Sequence, residues 1–253
     1  MSAEPKTGDT YLSFDGTGYA EIPSLSAYSV DRTGEMTVAA WMRPDVEEFE
    51  DQEGTNYVHW MGKGTKSGSH GDQEWVCRMY STTTTDKPPR PQRTSFYVFN
   101  PQGGLGVGSF VPGPVSLDEW RLIVGVADET RTRMYRNGEL VDCDTYRGPA
   151  THGCSIMKHD GQQVVINPLG GSAPLRIGTQ DKISFFQGGI TRVRIWGRAL
   201  APDEITALYQ ADTAPRDWLV AEFLLDQNTK MQAMDTAYEN HGIIHGGATW
   251  AVQ

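Results

Sequence analysis

Two segments far apart in the chain constrain its fold more than anything else. YLSFDGTGYAEIP at 11–23 opens it, and GGITRVRIWGRALAPDEITALY at 188–209 comes near its end. In the first, Leu12 and Phe14 alternate with Ser13 and Asp15. A Gly16-Thr17-Gly18 turn follows, then a second short run that Pro23 stops. That is the period of a half-buried strand entering and leaving a tight turn. In the second, Val193 and Ile195 alternate with Arg192, Arg194 and Trp196, after which the period changes. Pro202 suits a first helical position, and Asp203 and Glu204 suit the positive end of a helix dipole. Ile205, Leu208 and Tyr209 form one apolar stripe. The spacing predicts a strand followed by one short helix near 202–211.

The interior reads the same way. Trp120, Leu122, Val124 and Val126 alternate with Arg121, Ile123 and Gly125, and Asn137-Gly138 supplies the two positive-φ residues of a type I′ hairpin turn. Twenty-eight glycines and fourteen prolines in 253 residues, scattered between short apolar runs, supply the turns of an all-β chain. One sandwich of roughly this length suffices as a single domain over 1–253. No apolar run is long enough to span a bilayer, and MSAEPKTGDT lacks the charged and apolar regions of a signal peptide. The sequence therefore reads as soluble, either a cytoplasmic protein or a secreted one whose signal has been trimmed.

With MTVAAWMRPD at 36–45, the hairpin at 120–142 and APLRIGTQ at 173–180, these segments follow in order and spacing a known pattern. The chain resembles the laminin-G-like, concanavalin A-type lectin/glucanase superfamily. That resemblance implies a two-sheet antiparallel jelly roll with glycans lying on strands from the middle of the chain. A sugar needs flat aromatic area beside planar polar groups. Trp60, Trp75, Arg78, Tyr80, Arg93, Tyr97 and Asn100 have that composition. His59 and Trp60 are adjacent, so at most one of them faces the groove.

The resemblance also implies a structural Ca²⁺ between the first and last strands. Asp15, Asp235 and Asn240 match the family's ligand positions, and oxygen donors suit that ion. Thr191-Arg192 stands where relatives usually carry an acidic pair, which sets a cation near the expected site.

Three functions remain open: a non-catalytic glycan-binding or adhesive module, a protein-binding laminin-G-like module, and an enzyme of the same fold. A glycoside hydrolase needs two facing carboxylates. The alternating E-x-D-x-x-E strand is missing, and Glu47, Glu48, Asp51 and Glu53 read as a solvated loop. A polysaccharide lyase needs a cation to neutralise a uronate carboxylate and a proton-transfer group, which Arg78, His59, Tyr80 and Tyr97 could supply. The family's lyase signature strings are absent, and no G-x-S-x-G elbow occurs.

The net charge of −10 opposes a general binder of nucleic acid or anionic lipid. Locally Lys63, Lys66, Arg78, Lys87, Arg90 and Arg93 crowd one stretch, which is either a mixed solvated surface or a basic patch for an acidic glycan. Cys143 and Cys154 could close a loop in an oxidising compartment, while Cys77 in an apolar strand reads as a buried thiol. No cysteine–histidine spacing suggests zinc. His241 and His245 fall on one face of a strand-like run, and His152 and His159 flank Cys154 in a loop.

Overall fold

The computed structural model describes residues 2–65, 73–100, 106–150, 153–228 and 230–253. Lys66, His152 and the glycine-rich Gly103–Leu105 lie outside the described residues.

Two large sheets face each other. One has eight strands in the order Gln232–Ala233, Gly242–His245, Tyr19–Ile22, Leu175–Ile177, Tyr57–Lys63, Trp75–Tyr80, Thr94–Phe99 and Gly106–Phe110. The other has nine. Its path runs Ser155–Ile156, Glu139–Thr145, Arg131–Arg136, Arg121–Ala127, Met36–Pro44, Gln187–Trp196, Thr10–Asp15 and Thr249–Val252, with Leu219–Phe223 also paired to Gln187–Trp196. Pairing is antiparallel except between Glu139–Thr145 and Ser155–Ile156. The opening strand lies between the long strand Gln187–Trp196 and the last strand, so the chain's two ends adjoin in one sheet.

Alternation sorts the side chains into layers. Between the sheets lie Leu12, Phe14, Val38, Trp60, Trp75, Met79, Phe96, Ile123, Ile190 and Ile195, among others. The nine-stranded sheet buries its other face too. Trp41, Trp120, Leu122, Val124, Val126 and Trp196 pack there with Ile205 and Leu208 of the helix Pro202–Ala211. The alternation of Trp120 through Val126 thus reads out an interior second layer rather than a solvent boundary. Pro202 opens the helix, and the Glu204 carboxylate accepts the Ala201 N–H while pairing with Arg198. Asn137 and Gly138 turn the hairpin with φ of 52° and 85°. No helix among the described residues is long and apolar enough to cross a membrane.

Cys143 and Cys154 are joined by a disulfide, and Cys77 is free and buried. Lys63 sits fully buried against Glu74, and both hydrogen-bond the backbone of Gly171. It belongs to a structural ion pair and not to a surface patch.

Candidate functional site

On the outer face of the eight-stranded sheet a groove of ≈ 390 Å³ opens over the strands Tyr57–Lys63, Trp75–Tyr80 and Thr94–Phe99. Strand parity builds its floor. Tyr57 and His59, Arg78 and Tyr80, Tyr97 and Phe99 are each two apart and so share that face. His59 lies opposite Arg78, and Tyr57 opposite Tyr80. The threonine- and proline-rich loop brings Asp86, Lys87 and Arg90 to the rim, and Gly54 and Thr55 close another side.

Trp60 and Trp75 do not reach this groove. Both are 0 % exposed in the core between the sheets, and the Trp75 indole N–H donates to the Tyr28 carbonyl at 2.8 Å. Of the adjacent pair it is His59 that faces out. A register shift between His59 and Met61 then turns both Trp60 and Met61 inward. Arg93 is half-buried with its guanidinium 5.7 Å from the Phe110 ring, and neither it nor Asn100 lines the groove. Arg78, Tyr80, Tyr97 and His59 do come together there.

Their polar atoms form one chain. Arg78 donates from Nη1 to the Tyr80 hydroxyl at 3.3 Å, and the Tyr80 and Tyr97 hydroxyls lie 3.2 Å apart. Arg90 donates to the Tyr97 hydroxyl at 2.8 Å and pairs with Asp86. At the other end His59 Nδ1 lies 3.0 Å from a Glu53 carboxylate oxygen, which also accepts the Ser184 hydroxyl at 2.5 Å. The Arg78 guanidinium stacks 3.8 Å from the Tyr57 ring centroid and 4.5 Å from that of Tyr97. Burial pushes the Tyr97 hydroxyl above its ordinary pKa, despite the two arginines beside it. It stays protonated.

Glu53 is a correction. It is 4 % exposed, the buried partner of His59, and not part of a solvated acidic turn. The signal missed was its position immediately before the strand whose outward residues are Tyr57 and His59.

Two metal arrangements can be tested against the donors. Glu53, His59 and Asp181 place ligand atoms within 4.8 Å of one another. Arg78, however, directs N–H groups at His59 Nε2 from Nε and Nη2, each at 3.4 Å, so the lone pair is there and the ring proton is on Nδ1 facing Glu53. A metal on Nδ1 would need the opposite tautomer, so this set does not fit a divalent cation.

The Ca²⁺ set inferred from the resemblance does not converge either. Asp15 lies opposite Gln187, whereas Asp235 bridges to Phe223, which lies opposite Val193 on the same long strand. Six residues of strand separate the two levels by roughly 15–20 Å, far beyond one ion's 2.3–2.6 Å ligand shell. The Asp235 carboxylate is also filled, accepting backbone N–H groups from Glu222, Ala237, Tyr238 and Asn240. Asn240 donates its amide to Pro23 and Tyr28, and Asp15 caps Thr17. Arg192 is taken up by Asp9 and Asp212.

The remaining histidines are dispersed. His241 Nδ1 accepts the Asp235 N–H, His245 stacks on Tyr19, and His159 is exposed beside Asp160.

The two facing sheets define a concanavalin A-like β-sandwich, and the sequence agrees. The family profile of the Concanavalin A-like lectin/glucanases superfamily matches residues 14–206, so the chain belongs to that superfamily. No curated protein matches by sequence. Among solved structures, a candidate carbohydrate-binding protein of Bacteroides ovatus is similar at 14% identity and a TM-score of 0.66, over 98% of this chain and 61% of that one. This chain therefore spans less than two thirds of that protein. A heptameric SAP-like pentraxin of Limulus polyphemus is similar at 15% identity and a TM-score of 0.56, over 97% and 95% of the two chains. At such identities the likeness is one of fold.

Proposed function

We propose that this chain is a non-catalytic, lectin-type saccharide-binding module whose ligand lies in the groove over Tyr57, Arg78, Tyr80 and Tyr97. The observation that carries this reading is the groove's composition, with aromatic walls beside phenol and guanidinium donors on the outer face of the sheet. Such a surface meets both the C–H face and the hydroxyl rim of a sugar ring. A panel of immobilised neutral and acidic glycans tests it. Selective retention by some of them is expected, and retention by none would overturn the reading.

A polysaccharide lyase is the second reading, favoured by the convergence of Arg78, His59, Tyr80 and Tyr97. The chemistry weighs against it. A base must shed its proton near working pH, and burial holds the Tyr97 phenol protonated. The lone pair of His59 Nε2 is already occupied by Arg78. Incubation with alginate, glucuronan and neutral glucans separates the two. Chain scission with an unsaturated product, lost in Tyr80→Phe or Tyr97→Phe, would establish the lyase.

A further inference from the structure

The groove contains a cation that has no counter-ion among the described residues. Arg43, Arg176, Arg194 and Arg198 each meet a carboxylate, and so does Arg90 at the rim. Arg78 does not. It is half-buried at the groove floor, and no ion pair among the described residues includes it. Its neighbours are the faces of Tyr57 and Tyr97, the Tyr80 hydroxyl and the lone pair of His59. These orient the guanidinium without neutralising it. Taking a charge out of water without a partner is costly, and folds seldom keep one there for stability alone.

The surroundings reinforce the sign. Lys87 is exposed at the rim with no ion pair among the described residues, and Arg90 reaches the Tyr97 hydroxyl. Glu53 is separated from Arg78 by the His59 ring, and Asp181 stands within 4.8 Å of Glu53 and His59 ligand atoms. Among the groove's lining residues Arg78, Lys87 and Arg90 stand against one carboxylate, Asp86, a local reversal in a protein of net charge −10.

We infer that the saccharide is anionic and that Arg78 pairs with its acidic group, a carboxylate or a sulfate, while the tyrosine rings flank the sugar. This rests on reading the groove as the saccharide site. A planar guanidinium can hold either oxyanion through two parallel N–H bonds, and the ring stacking fixes its plane in advance.

The test is calorimetric titration of the full chain with four short oligosaccharides: a galacturonate oligomer, its methyl ester, the neutral galactose oligomer and a sulfated galactose oligomer. The acidic ligands should bind about tenfold or more tightly than the methyl ester and the neutral oligomer, and the advantage should shrink as salt rises. Whether carboxylate or sulfate binds more tightly identifies the source of the anion. Arg78→Gln should erase the advantage, and Arg78→Lys should restore only part of it. If Arg78→Gln fails to fold, Lys87→Gln with Arg90→Gln at the rim should still reduce the preference. Equal affinity for acidic and neutral ligands would overturn the inference and leave the saccharide-binding reading standing. Binding to none of the four would overturn the inference, and the saccharide-binding reading falls with it only if the whole glycan panel also fails to retain the protein.

Discussion

Nε and Nη2 of Arg78 both point at Nε2 of His59, 3.4 Å away. An arginine can only donate, so this contact fixes the imidazole tautomer and, through Nδ1, ties the groove floor to Glu53 and Ser184. Long-range ¹H–¹⁵N spectra should therefore show His59 protonated at Nδ1 with Nε2 bare. In Glu53→Gln the carboxamide should leave that tautomer less strongly imposed and the ring more mobile. Protonation at Nε2 in the native protein would contradict the assignment.

The buried pair Lys63–Glu74 predicts an asymmetric response. Lys63→Met alone leaves a carboxylate in the core whose pKa burial already raises, and it should cost about 3–5 kcal/mol by chemical denaturation. Lys63→Met with Glu74→Leu should recover most of that loss, since the pair is then replaced by apolar side chains and the groups left behind are the Gly171 backbone and the Ser29 hydroxyl. Equal costs for the single and double changes would show that the ion pair itself supplies the stability.

Asp235 organises its loop through four backbone N–H bonds. Asp235→Ala should lower stability by about 2–4 kcal/mol, because several buried donors lose their acceptor together. The decrease should be the same in calcium and in chelator. A loss seen only with calcium present would restore the carboxylate as an ion ligand.

Asp144 gives a pH dependence with a definite sign. Burial, and then the neighbouring Asp142, push its carboxyl up to about 6. The unfolded side chain loses its proton near pH 4, so between these values the native state holds the extra proton. The stabilising contribution of this group is thus complete below about pH 4 and lost as the pH rises through 6. Asp144→Asn should melt higher than the native protein at about pH 8, with the difference disappearing at about pH 4. A constant difference across that range would contradict the elevated carboxyl.

Much of this was legible in the residues. The strand character of the opening and closing segments, the helix at Pro202–Ala211 and the turn at Asn137-Gly138 follow from local periodicity and turn chemistry, the pairing of the two strands is what the family resemblance implies, and the structure has them all. The site was legible only in part. Strand parity correctly grouped Arg78 with Tyr80 and set His59 against Trp60. It could not show that the sheet's other neighbour covers both indoles, because an aromatic strand residue looks alike on either face. Glu53 reads from sequence as solvated, and Arg90 only as one member of a basic stretch, for a related reason. Their roles come from loops folding back over the sheet, which short-range pattern does not encode. Asp15 and Asp235 failed as a pair because matching motif positions carry no information about level along the strand Gln187–Trp196.

The central claim is that a saccharide occupies the groove over Tyr57 and Tyr97, and one titration tests it most directly. Thr55 lines the rim and is half-buried in a loop, so Thr55→Trp should fill the groove without disturbing the core. Titrated with whichever galactose or galacturonate oligomer the native protein retains, this variant should lose about tenfold or more in affinity at an unchanged melting temperature. Undiminished affinity in a folded Thr55→Trp would place the ligand elsewhere on the sandwich and contradict the account.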